Sequence, residues 1–330
     1  MSTFYHPHTI ITMNIVFTTR LPHEGFSRLD SHKLIMPLTD TFTHSQLCEH
    51  MSDADILVAT YDYAVPMQIL QSAHKLRMIA AFGAGFNNIP IEWCRQHGVI
   101  VTNTPTVVVE PTAEQCFALM HAVVHRTAEL DRRLRMADSD GIRFGVMHNL
   151  GRSLYGMTLG IIGMGKIGQA VARRAVAAGM TIIYHNRHQL DADIEKRYHA
   201  RYVSFDELLR TSDMVSLNLP YTPEVHHLID TAELHTMKSN AFLINTARGA
   251  HVNEKALAQA LLKGEIAGAG LDVFENEPQI TPELLQCPNV VLSPHIGTGT
   301  WEGRLATCRS VEENIFALLC GNHNLPNRVV

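Results

Sequence analysis

The chain has 330 residues, enough for two domains of ordinary size. Hydrophobic residues make up 46% and charged residues 18%, which excludes a disordered chain. The formal net charge is −5 with no basic block, and no apolar run approaches the ~20 residues of a membrane span, so neither nucleic acid nor a membrane is the expected partner. The opening MSTFYHPHTIITMN lacks the charged and apolar blocks of a signal peptide. Six scattered cysteines, with no Cys-x-x-Cys pair, read as reduced thiols of a cytoplasmic protein.

In chain order, apolar runs at 14–19, 33–38, 55–60, 77–82 and 99–103 alternate with polar helical segments such as VPMQILQSAH and IPIEWCRQHG. Strand and helix alternating in this way predict a parallel sheet covered by helices on both faces. One long helix is expected from Thr112 to about Met136, opened by Thr112 with Glu114 and Gln115 and closed by ADSDG. A second series starts at Thr158, with apolar runs LGIIG, MTIIY, DMVSLNL, AFLINTA, GAGLDVF and NVVLSP. Helices VSFDELLRT, EKALAQALLKG and TPELLQ lie between them. The last helical stretch, TWEGRLATCRSVEENIFALLCG, is expected to fold back onto the first domain.

Gly163, Gly165 and Gly168 form G-x-G-x-x-G between a strand and a helix patterned Ile167, Ala170, Val171, Ala175 and Ala178. Glycine there allows a tight turn, close backbone approach to a pyrophosphate and close helix–strand packing. Lys166 and Ile167 open the helix, whose first N–H groups and partial positive charge suit phosphates. The next strand, TIIYH, is followed by Asn186 and Arg187 where an acid holding the NAD ribose is expected. A carboxylate would repel the 2′-phosphate of NADP, whereas a guanidinium pairs with it, so NADP is preferred and NAD remains possible.

In open parallel sheets, ligands bind beyond the carboxyl ends of the strands. Arg248 follows AFLINTA, Asp272 and Glu277 lie in and after GAGLDVF, and His295 follows NVVLSP. Arginine binds a carboxylate bidentately, histidine passes a proton to a carbonyl oxygen, and a neighbouring acid orients that histidine. The histidine pairs His121 with His125, His226 with His227, and His6 with His8 lack a closing set of ligands, so no metal site is expected.

The stretches LYGMTLGIIGMGKIG, LINTARGA, GLDVFENEP and SPHIGTGT, with FGAGFNNI and VTNTPTVVVEPTAE, resemble the D-isomer-specific 2-hydroxyacid dehydrogenases over roughly residues 55–320. The resemblance implies an α/β protein of two doubly wound parallel-sheet domains. On this resemblance a flavodoxin-like substrate domain is expected over 1–105 and 296–330 and a Rossmann cofactor domain over 106–295, with the active site in the cleft between them. It implies Arg248 as substrate binder, His295 as acid/base and Glu277 as its partner. It also implies that the Ala84 and Gly85 N–H groups hold the substrate carboxylate, that Asp272 lies near the nicotinamide, and that the chain forms a homodimer through the cofactor domains. Asn218, where many relatives carry histidine, and Thr106, where glycine is common, depart from the pattern. The Y-H-N-R ending is similar to that of NADP-linked glyoxylate and hydroxypyruvate reductases, which implies reduction of a small 2-oxo acid. Tyr61, Tyr63, Phe82, Phe86 and Trp301 are candidate pocket aromatics. The alternatives are an NAD-linked enzyme with a phosphoglycerate-like or D-lactate-like substrate, and a nucleotide-sensing binding protein on the same fold.

Overall fold

A computed structural model describes residues 12–136, 142–322 and 325–330. The signal-peptide reading of the N-terminus, the His6 and His8 pair and the ADSDG stop lie largely or wholly outside these residues. The chain divides into two compact units, Met1–Val108 with Trp301–Val330, and Val109–Thr300. The sequence reading places the boundaries at 105/106 and 295/296.

In the first unit, strands β1 (Asn14–Phe17), β2 (Lys33–Ile35), β3 (Ile56–Thr60), β4 (Met78–Phe82) and β5 (Ile100–Thr102) form one parallel sheet. Its order is β2-β1-β3-β4-β5, the flavodoxin-like arrangement. The central strands β3 and β4 are buried at every position, which explains their unbroken apolar runs. Helices α1 (His44–Met51), α2 (Met67–Ser72) and α3 (Ile91–Gln96) pack Leu47, Ile69, Leu70 and Cys94 on one face. The C-terminal helix, Trp301–Leu319, covers the other with Cys308, Val311 and Ile315 against Phe17, Val58 and Ala80. The chain end then pairs with β5, Val329 N–H donating to the Val101 carbonyl at 2.7 Å.

The second unit opens with α4 (Val109–Val124) and α5 (Thr127–Arg135). The expected single helix from Thr112 is therefore two. Arg126 between them takes a left-handed φ of 58°, and the Val124 carbonyl accepts from Arg152 N–H at 2.8 Å. A contact from 28 residues away (152 − 124) thus takes a carbonyl at the end of α4, where the helix stops. Seven parallel strands follow: β6 (Thr158–Ile162), β7 (Thr181–His185), β8 (Ala200–Tyr202), β9 (Met214–Leu217), β10 (Phe242–Asn245), β11 (Gly268–Leu271) and β12 (Val290–Leu292). Their order is β12-β11-β10-β9-β6-β7-β8. The order reverses between β6 and β9, the switch point at which nucleotides bind in doubly wound sheets. Helices α6 (Lys166–Ala177), α7 (Ala192–Tyr198), α8 (Phe205–Thr211), α9 (Thr231–Thr236) and α10 (Glu254–Lys263) connect the strands. TPELLQ, expected as a helix, forms only a short 3-10 turn at Leu284–Gln286, too brief to propagate as α-helix.

Candidate active site

The glycine-rich turn joins β6 to α6 at the switch point. Gly163 has a φ of 91°, and a Cβ on it would lie 2.7 Å from the Asn218 backbone after β9. A Cβ on Gly168 would lie 2.4 Å from the Gly163 carbonyl oxygen, so the fold itself demands both glycines. Gly165 differs: nothing lies within 4 Å of its would-be Cβ, and it caps α6. Lys166 and Ile167 follow as the first helical residues, with orphan N–H groups that suit an anion. Asn218 Oδ1, beside this turn, is buried without a hydrogen-bond partner among the described residues, and so is Asp272 Oδ2 after β11. An open glycine, free helix amides and orphaned acceptors fit a dinucleotide with an amide-bearing ring.

The loop after β7 is held from several sides. Asn186 Oδ1 accepts from Met164 N–H at 2.8 Å, and Tyr202 Oη donates to the Asn186 carbonyl at 3.1 Å. Tyr184 Oη donates to Glu195 at 2.7 Å and accepts from Leu190 N–H at 2.8 Å. With Oδ1 held by an N–H, the Asn186 side chain keeps both N–H donors of its amide to offer. Arg187 beside it is exposed, close enough to Glu224 to help lower that acid's pKa.

The loops after β10, β11 and β12 bring Arg248, Glu277 and His295 together. His295 Nδ1 and Glu277 Oε2 lie 2.7 Å apart, and Glu277 Oε1 accepts from Phe274 N–H at 2.9 Å. Burial pushes the Glu277 carboxyl up, but its hydrogen bonds from His295 and Phe274 and the nearby charges outweigh this and hold it below the ordinary carboxylate range. Glu277 is therefore an ionised acceptor at neutral pH. His295 has a φ of 51°, a conformation a non-glycine residue holds only when its surroundings enforce it. Its N–H donates to the Asp272 carbonyl at 2.8 Å. Arg248 is largely desolvated, which lowers its pKa, while the Glu277 charge opposes the shift. A Cβ on Gly249 would overlap the Phe274 backbone, so glycine is what lets the Arg248 loop lie against the Glu277 loop. Burial raises the Asp272 carboxyl; Ser293 Oγ donates to its Oδ1 at 2.6 Å. A cation, a histidine and an ionised acid thus meet at neighbouring strand ends, with the groups needed to hold an oxo acid and move one proton.

Residues 117–297 match the family model for the NAD binding domain of D-isomer specific 2-hydroxyacid dehydrogenases. The chain belongs to this family. The dehydrogenase is 42% identical to a glyoxylate reductase of Thermococcus litoralis over 322 residues, 96% of this chain and 97% of that one. Two solved structures are similar. One is a D-lactate dehydrogenase from Aquifex aeolicus with NAD and lactic acid, 30% identical with a TM-score of 0.84, covering 96% of this chain and 99% of that one. The other is an NADPH-dependent glyoxylate/hydroxypyruvate reductase from Sinorhizobium meliloti with NADP and malonate, 28% identical with a TM-score of 0.82, covering 96% of each chain. The enzyme is an oxidoreductase that uses a nicotinamide cofactor. Among the described residues, no helix is long and apolar enough to cross a membrane.

Several positioning residues of the dehydrogenase escape a reading by motif. Asn245 donates to the Arg248 carbonyl at 2.8 Å and accepts from Ala247 N–H at 3.0 Å, fixing the loop that carries the arginine. Buried Glu254 accepts from Glu275 N–H at 2.7 Å and from Thr281, fixing the loop that carries Glu277. Gln115 donates to Ser293 Oγ at 2.9 Å, behind Asp272. Buried His251 is pushed down to about 4, chiefly by desolvation, and so stays neutral beside Arg248. In the first unit, the Ala84 carbonyl accepts from Asn103 at 2.8 Å, while the Ala84 and Gly85 N–H groups make no hydrogen bond among the described residues. Among the candidate aromatics, Phe82 is buried in the core, Trp301 is exposed, and Arg304 Nη2 donates to Tyr61 Oη at 3.1 Å. A cavity of about 520 Å³ opens beside α4 and β12, lined by Val124, Arg126, Leu150 and Val290, and contains none of the candidate catalytic or cofactor-binding residues.

Proposed function

We propose that this enzyme reduces a small 2-oxo acid, glyoxylate or hydroxypyruvate, to the D-2-hydroxy acid with NADPH as the reductant. The observation that carries the cofactor choice is the end of β7, where Asn186 offers amide N–H donors in place of a carboxylate and Arg187 stands exposed beside it. Both favour a 2′-phosphate over a bare ribose hydroxyl. The Gly163–Gly168 turn with the Lys166 and Ile167 amides holds the pyrophosphate, and the unpaired Asp272 Oδ2 accepts from the carboxamide. When bound, the cofactor supplies the hydride to C2. Arg248 binds the substrate carboxylate and carbonyl oxygen, polarising the C=O. His295, as imidazolium, gives its proton to that oxygen. Glu277 holds the ring by Nδ1, leaving Nε2 as the atom that delivers the proton. The Ala84 and Gly85 amides are further donors for the substrate carboxylate.

The reading is tested by kcat/KM for NADPH and NADH with glyoxylate, in wild type and Arg187→Ala. NADPH preference is expected, falling about 10- to 150-fold in the variant on loss of one charge-assisted phosphate contact. A wild type that prefers NADH overturns it. The free thiols at all six cysteines favour a reducing compartment, the cytoplasm. The homodimer is proposed on the exposure of Phe144 (88%), Val146 (91%) and Met147 (77%), an apolar run that a second copy would cover. Sedimentation of wild type and Phe144→Asp tests it, with a shift to monomer expected in the variant.

A further inference from the structure

We propose that His226, His227 and Glu275 form a site for a divalent ion of the zinc–nickel class. The sequence leaves the histidine pair without a closing ligand; the fold brings Glu275 to it from the loop after β11. His227 Nε2 lies 2.7 Å from Glu275 Oε1, and His226 Nε2 lies 4.0 Å from the same oxygen. One ligand atom from each residue falls within 4.8 Å of the other two, and among the described residues no other group of three metal-binding side chains does so. Ligands bound at about 2.0–2.2 Å from one ion stand roughly 3–4 Å from each other, so small side-chain rotations close this set.

A simple histidine–carboxylate pair explains His227 and Glu275 but not His226. Consecutive side chains on extended backbone point to opposite sides. Here His227 takes a φ of 50°, and the two rings stack with centroids 4.0 Å apart and planes 21° apart. Left-handed backbone at a non-glycine residue costs energy, and here it turns both imidazoles to the same side as Glu275. Coordination by both would turn the rings out of this stack, since each nitrogen lone pair lies in its ring plane. The surroundings orient the set. Tyr221 Oη lies 3.4 Å from His226 Nδ1, the ring nitrogen not facing the acid. His227 N–H is fixed to the Ala250 carbonyl at 2.8 Å, and Glu275 N–H to Glu254 at 2.7 Å. Partners of this kind on the non-ligating nitrogen and on the backbone set ligand direction in metal sites. Two imidazoles and one carboxylate suit zinc or nickel rather than calcium or magnesium, which take oxygen ligands. The side chains are 44%, 28% and 24% exposed, so water completes the coordination.

The test is zinc binding to the full, untagged chain, measured by competition with a chromophoric chelator. Wild type is expected to bind one Zn²⁺ at this site, and His226→Ala and Glu275→Gln are each expected to weaken that binding at least about 10-fold. His226 is well exposed, so its variant tests the site even if Glu275→Gln disturbs the loop. A control carrying His6→Ala, His8→Ala and His121→Ala is expected to keep the site. X-ray absorption of the zinc-loaded chain is expected to show two imidazoles. No stoichiometric zinc, binding unchanged in His226→Ala, or binding lost in the control overturns the proposal.

Discussion

Replacing Asn186 with aspartate separates its two jobs. The Asn186 Oδ1 that accepts from Met164 N–H at 2.8 Å is kept as a carboxylate oxygen, so the glycine-rich turn stays in place. The outward N–H donors become a second, charged acceptor. Loss of a charge-assisted hydrogen bond to the 2′-phosphate costs about 1.5–3 kcal/mol. Repulsion between the new carboxylate and the phosphate at ~4 Å adds about 1 kcal/mol, the water-like end of the scale, because the loop is open to solvent and salt. Together these predict a fall of about 60- to 700-fold in kcat/KM for NADPH, while NADH holds or gains by accepting a ribose hydroxyl. Arg187 is untouched and pulls the loss toward the low end. The assay is absorbance at 340 nm with glyoxylate and each cofactor, with thermal unfolding to check that the turn is intact. An unchanged cofactor ratio refutes the reasoning, and so does an equal loss with both cofactors, which would make Asn186 a clasp for the turn and nothing more.

Arg248→Lys keeps the charge but loses the planar fork, and is expected to lower kcat/KM for glyoxylate by at least about 10-fold; near-wild-type kinetics would remove the bidentate role. Gly165→Ala is expected to weaken NADPH binding, read by fluorescence titration, with an unchanged Tm, because its Cβ meets no protein atom; Gly168→Ala, whose Cβ meets the Gly163 carbonyl oxygen at 2.4 Å, is expected to lower Tm. Glu129, hydrogen-bonded to Arg126 at 2.8 and 2.7 Å, has a depressed pKa, chiefly through that pairing, so its stabilisation is present above the ordinary glutamate pKa and is lost as pH falls through the depressed value. Glu129→Gln is therefore expected to lower Tm at pH 7 by about 2–4 °C for ~1 kcal/mol, with the gap from wild type closing in acid.

What was legible in the sequence is what short-range pattern encodes. The buried central strands read as apolar runs because both faces are covered, and Gly163 and Gly168 read as a motif because backbone lies against them. The strand-end positions of Arg248, Glu277 and His295 follow from their neighbours in the chain, and the fold brings them together. What escaped depends on contacts between distant segments. The break after Val124 coincides with the arrival of Arg152, which no local signal at 124–127 announces. Glu275 meets His227 across 48 positions, and Glu254 reaches Glu275 across 21, so neither partnership could be read from spacing. The hydrogen bond from Met164 N–H to Asn186 Oδ1 spans 22 positions and is likewise invisible in the local pattern of the β7 loop.

The central claim, that Arg248, Glu277 and His295 reduce a 2-oxo acid at C2 to the D-isomer, is tested most directly with hydroxypyruvate, since its product is chiral. Wild type with NADPH is expected to form D-glycerate in step with cofactor oxidation, resolved by chiral chromatography, and His295→Ala is expected to be slower by about 100- to 10,000-fold. Formation of L-glycerate, or a His295→Ala variant that turns over near the wild-type rate, would contradict the account.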